Sequence, residues 1–137
     1  MTLCDAGPLY ALVDRKQPKH SILRKTLPTL SMPLVTTWPC LTEAMYLALH
    51  RGGWPMQRLL LQLLLEGMLT IYEIQPNDYP RLEQLLAQYQ DRPMDLADST
   101  LVLAAERLGL QHILTLDSDF FFYLINNSVP FHVIPLA

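Results

Sequence analysis

The feature that most constrains this chain is a repeated switch between short apolar runs and longer runs with helical spacing. "TLC" (2–4) reads as a buried strand ended by "DAGP". Pro8 suits the first turn of a helix that continues through "LYALVD". "HSILRKTL" (20–27) is a second helix and "PLVTT" (33–37) a strand. "LTEAMYLALH" (41–50) is a helix closed by Gly52 and Gly53, followed by the helix "MQRLLLQLLLEG" (56–67) and the strand "MLTIYEI" (68–74). "PNDYPRLEQLLAQYQ" (76–90) is helical after its prolines, and "DLADSTLVLAAERLG" (95–109) is helical throughout. The strand "HILTL" (112–116), a short helix from Asp117 and the strand "FHVI" (131–134) complete the chain. Alternation of this kind predicts an α/β fold, with a parallel sheet carrying helices on both faces.

The length of 137 residues fits one domain, and half of the residues are hydrophobic, enough for a sizeable core. The formal net charge is −3, so any nucleic-acid partner has to be held by a local patch. The one basic cluster is Arg15, Lys16, Lys19, Arg24 and Lys25, and nothing after Arg107 is basic. Cys4 and Cys40 lack the spacing of a zinc site or a disulfide framework. The N-terminus does not read as a signal peptide, and the Leu-rich run is interrupted by Gln62, Glu66 and Gly67. The expectation is a cytoplasmic protein with no membrane partner.

Parallel sheets bind ligands at the carboxyl ends of their strands. Asp5 follows the first strand, Asp95 and Asp98 open a helix, and Asp117 follows "HILTL", with Asp119 two residues on. Glu43 is the only charged group in a run apolar nearly all round, which predicts a buried carboxylate in need of a partner or a metal. Each also has an ordinary structural reading. Asp5, Asp95 and Asp117 can cap helices, Asp98 can favour a helix dipole, and Glu43 can pair with an arginine. Together, carboxylates at one sheet edge would repel each other and force some to protonate. A hard divalent cation relieves that repulsion and supports hydrolysis of a phosphodiester. The chain contains no GxGxxG, GxxxxGK[ST] or GxSxG pattern. Trp38 and Trp54 flank the Glu43 helix and read as packing residues, with base stacking as the rival reading.

The stretches "LCDAGPLYAL", "LTEAMYLA", "MDLADSTLVLAAERLG" and "ILTLDSDFF" resemble the successive motifs of PIN domains, and most closely the VapC-type ribonuclease toxins of bacterial toxin–antitoxin pairs. The resemblance implies a three-layer α/β/α sandwich around a short, mostly parallel sheet, one domain over 1–137. It also implies RNA cleavage dependent on Mg²⁺ or Mn²⁺. The family acids fall on Asp5, Glu43, Asp98 and Asp117, which are the expected catalytic and metal-binding residues. Asp95 matches an additional acid, and Asp119 lies close enough to assist Asp117. Ala6 stands where many members carry Ser or Thr.

The resulting expectation is an endoribonuclease in which Asp95, Asp119 and Thr36 or Thr37 orient the ligands. The cluster Arg15, Lys16, Lys19, Arg24 and Lys25 would flank the site and hold RNA phosphates, or form a solvated helix face. A homodimer and an antitoxin peptide are the expected protein partners. The alternatives are a non-catalytic interaction module on the same scaffold, or a metal-dependent phosphatase or DNA nuclease.

Overall fold

A computed structural model describes residues 1–136. The chain opens with β1 (Thr2–Cys4) and α1 (Ala6–Val13), then α2 (His20–Thr26) and β2 (Leu34–Thr36). The long α3 (Trp38–Leu65) leads to β3 (Leu69–Ile71), and α4 (Tyr79–Gln88) and α5 (Leu96–Leu108) precede β4 (His112–Leu114). The hairpin strands β5 (Leu124–Ile125) and β6 (Val129–Pro130) come next, and β7 (His132–Val133) is last.

Five strands form one parallel sheet in the order β3-β2-β1-β4-β7. The chain moves outward from β1 through β2 to β3, then crosses back to place β4 on the other side of β1. The order therefore reverses between β1 and β4, where open α/β sheets form their binding crevice. Two cores cover the two faces, as predicted. Leu3 and Val35 pack with Leu101, Leu103, Ile113 and Phe120 on the α5 face. Cys4 and Leu34 point the other way and pack with Leu9, Leu23, Leu41 and Leu60. The alternation along β1 and β2 is the two-residue period of a strand buried on both sides. Among the described residues, no helix is long and apolar enough to cross a membrane.

The expected helices over 41–50 and 56–67 belong to one element that starts earlier, at Trp38, with Pro39 in its first turn. Its backbone leaves helical geometry at Gly53 (φ 66°, ψ −157°), a conformation open to glycine. The predicted break survives as a kink. The β5–β6 hairpin was not predicted. It turns on Asn126 and Asn127, both at positive φ (51° and 60°), which Asn tolerates better than most residues.

α5 carries most of its length inside the molecule, from Asp98 to Ala105. Two polar ties fix it. The buried Asp78 accepts from Arg107 Nε at 2.7 Å and from Tyr72 Oη at 2.8 Å. Glu106 takes both ends of the Arg81 guanidinium at 2.9 Å and also accepts from the Asn126 amide. The Arg81–Glu106 fork constrains orientation as well as distance, so the last turn of α5 is held against α4 and the segment before it.

Candidate metal centre

The strand ends on either side of the switch point deliver the first two acids. Asp5 ends β1 and caps α1, its Oδ1 accepting from the Ala6 amide at 2.7 Å. Its Oδ2 accepts from the Thr115 hydroxyl at 2.9 Å, across from β4. The same hydroxyl accepts from the Asp117 amide at 3.0 Å. Thr115 therefore stitches the ends of β1 and β4 and sets the spacing of their two carboxylates. Asp117 caps the next turn, accepting from the Asp119 amide at 2.9 Å. Asp98 enters from the first turn of α5 and accepts from Tyr123 Oη at 3.0 Å. One carboxylate oxygen from each of Asp5, Asp98 and Asp117 lies within 4.8 Å of the others. They open into a cleft of about 470 Å³ that Glu43 and Asp95 also line.

Crowding shows in the titration of the acids. Asp98 is pushed up to about 7, first by burial and then by the charges of Asp95 and Asp5, against the pull of the Tyr123 bond. Asp5 is raised for the same leading reason, with its Ala6 and Thr115 bonds opposing. Glu43 is raised by partial desolvation and then by Asp5, Asp95 and Asp117. Three oxygen donors this close, one of them holding its proton near neutrality, suit a hard divalent cation that accepts carboxylates and keeps waters of its own.

The remaining expected residues are placed less uniformly. Asp95 is the N-cap of α5, accepting from the Asp98 amide at 2.7 Å, and it also faces the cleft. Glu43 reaches the mouth of the cleft but is exposed, which corrects the expectation of a buried carboxylate. The outer face of α3 is apolar and solvent-facing, with Tyr46 and Leu49 exposed. A helix apolar nearly all round is here buried on one side only.

Asp119 does not line the acid cleft. Its carboxylate binds Arg92 Nη2 at 2.6 Å, so it is engaged elsewhere. Thr37 shares a 2.6 Å hydrogen bond with Thr100, whose hydroxyl also donates to the Ala97 carbonyl. Thr36 is buried beside Cys40. Neither threonine lines the acid cleft; Thr37 braces α5 from behind.

None of the five residues of the basic cluster lines the acid cleft. Arg15 and Arg24 line a separate cleft with His20, Leu59 and Met68. The reason is geometric: α1 starts at Asp5 and carries the chain about 12 Å away, at about 1.5 Å per residue. Trp38 and Trp54 are exposed rather than packed.

Two residues of the centre were not anticipated. Thr115 carried a signal, a hydroxyl at a strand end two positions before Asp117. Tyr123 carried none, being one aromatic among several in "DFFFYLI". Tyr123→Phe is expected to weaken divalent-ion binding about tenfold, the usual effect of losing a group that orients a ligand. Isothermal titration with Mn²⁺ checks this, and unchanged affinity would show that Asp98 needs no such support.

The chain matches the PIN domain family over residues 2–123. Ribonuclease VapC26 of Mycobacterium tuberculosis is 25% identical over 119 residues, covering 87% of this chain and 88% of that protein. Among solved structures, Mycobacterium tuberculosis VapC20, a Sarcin-Ricin loop cleaving toxin, superposes with a TM-score of 0.79 at 16% identity. That match covers 87% of this chain and 92% of the other, and at such identity it shows a shared fold.

Proposed function

The chain belongs to the PIN domain family, and on that footing we propose that residues 1–137 act as a single metal-dependent endoribonuclease domain. The observation that carries the reading is the meeting of Asp5, Asp98 and Asp117 at the switch point of the sheet. The ribonuclease named among its relatives supports RNA as the substrate.

Asp5, Asp98 and Asp117 would hold the ion, Mg²⁺ or Mn²⁺. Such an ion, when bound, supplies an acidified water and positive charge for the phosphate under attack. Thr115 fixes Asp5 relative to Asp117, and Tyr123 keeps one oxygen of Asp98 pointed inward. Glu43 stands at the mouth with a raised affinity for protons, suited to take one from the attacking water. Asp95 holds the helix start that presents Asp98.

The physiological role we infer is that of a toxin held by a protein antitoxin, with a homodimer as its working form. Exposed Leu65, Phe121 and Phe122 supply apolar surface for such partners. A bare interaction module has no use for three crowded carboxylates, which weighs against a non-catalytic reading. Purified protein is expected to cut RNA with Mg²⁺ or Mn²⁺ and to lose all cutting in excess EDTA. Equal activity with EDTA would sink the proposal. Parallel assays on DNA and on small phosphate esters distinguish a DNA nuclease or a phosphatase.

A further inference from the structure

A second groove opens on the same carboxyl edge of the sheet, of about 230 Å³, lined by Trp38, Pro39, Tyr72, Glu73, Leu82 and Leu96 among others. Trp38 follows β2, Tyr72 and Glu73 follow β3, and Leu96 opens α5. The groove is largely apolar, yet Trp38 is 50% exposed and Leu96 54% exposed. The indole has one polar partner, Glu73. Its Nε1 donates to Glu73 Oε1 at 3.1 Å at the surface, which favours one orientation of the ring.

This groove adjoins the acid cleft along two helices. On α5, Leu96 and Thr100 line the groove, while Asp95 and Asp98 line the cleft, so the first turns of that helix divide the two. On α3, Pro39 lines the groove, and Glu43 and Leu47 line the cleft. Residues four apart share one stripe of a helix. A single stripe of α3 therefore runs from the groove into the cleft, advancing about 6 Å per four residues.

The electrostatics leave a gap that this groove can fill. The cleft is acidic, the chain carries a net charge of −3, and Arg15 and Arg24 of the basic cluster line another cleft. Arg92, the cation bonded to Asp119 near the site, is already spent on that carboxylate. Phosphate contacts, the usual source of RNA affinity, rest on few cations here: Arg51 stands one turn beyond Leu47 on the same stripe of α3. An exposed indole beside the cleft offers the other source, since every base has a face that can stack.

We propose that Trp38 is a base-stacking residue: it receives the nucleobase next to the scissile phosphate of a single-stranded RNA, in the groove between the starts of α3 and α5. The proposal rests on the nuclease reading above and adds how the strand is gripped.

The test uses the full chain carrying Trp54→Phe, which leaves Trp38 as the one tryptophan. Titration with short single-stranded oligoribonucleotides should quench its fluorescence. Trp38→Ala should lower RNA affinity about tenfold by loss of stacking, appearing as a raised KM, and Trp38→Phe should recover most of it. An abasic nucleotide moved along the substrate should penalise the wild type at one position beside the cut. At that position Trp38→Ala should lose nothing further. RNA cleavage with no quenching, or with the same abasic penalty in both proteins, overturns the stacking role and leaves the nuclease reading standing. No cleavage and no quenching overturn both. A response of Trp38 to a protein partner, with none to RNA, also overturns it.

Discussion

Replacing Asp98 by Asn is expected to cut the rate of RNA cleavage about 10³-fold or more, because a metal's charge stabilisation is worth several kcal/mol and each ~1.4 kcal/mol is tenfold. The substitution preserves shape, and the Asn carbonyl can still accept from Tyr123. What it removes is one of three converging charges. The same change should leave the metal-free protein more stable, not less. Without a cation, Asp98 ionises in a buried position beside Asp5 and Asp95, and Asn never has to. A gain in melting temperature alongside a loss of activity would mark the residue as kept for function at the expense of stability. Loss of activity together with loss of folding, read by circular dichroism, would reduce Asp98 to a structural role.

The second large effect is on stability against pH. Asp98 has a folded-state value raised to about 7, above that of an unfolded aspartate. Between about pH 4 and that value the unfolded chain has released this proton while the folded chain keeps it, so stability falls as pH rises through the window. Below the window both states are protonated and the contribution is constant; above it both are ionised and the penalty is complete. Asp5, also raised, adds in the same direction. The part due to Asp98 should be on the order of a few kcal/mol, since a tenfold change in proton affinity corresponds to about 1.4 kcal/mol. A divalent ion binds the ionised acids of the folded state and reverses the effect by mass action. Melting curves should therefore show a larger rise on adding Mn²⁺ at about pH 8 than at about pH 6. A metal-induced rise in melting temperature that did not grow with pH would contradict the assignment of Asp98 as a ligand.

The parts of this molecule legible in the sequence are those where one residue type answers one local need. Asp5, Asp98 and Asp117 stood out because a carboxylate at a strand end or helix start is set there by backbone geometry alone. The same locality made Asp95 readable as a cap. The alternation of strand and helix was enough for a parallel sheet with two covered faces, and the adjacent Gly52 and Gly53 were enough for a break in α3. Errors arose where orientation depends on distant packing. Glu43 looked buried because its neighbours are apolar, but Tyr46 and Leu49 among them face solvent. Asp119 looked like a reserve ligand, yet Arg92, 27 residues away in sequence, claims it. Arg15 is close to Asp5 along the chain but lines a different cleft, because α1 lies between them. Tyr123 was hidden for the opposite reason: only the folded chain brings it to Asp98.

The hydrogen bond from Thr115 to Asp5 joins residues 110 positions apart. This sets an order of events during synthesis. Asp5 is made at the very start of the chain, but it has no companion until α5 follows, and no Thr115 or Asp117 until β4 has been made and inserted beside β1. No N-terminal fragment ending before Thr115 contains the site. Assembly of the acid cluster is thus deferred by topology, because the centre of the sheet is filled by one of the earliest strands and by β4, made more than a hundred residues later.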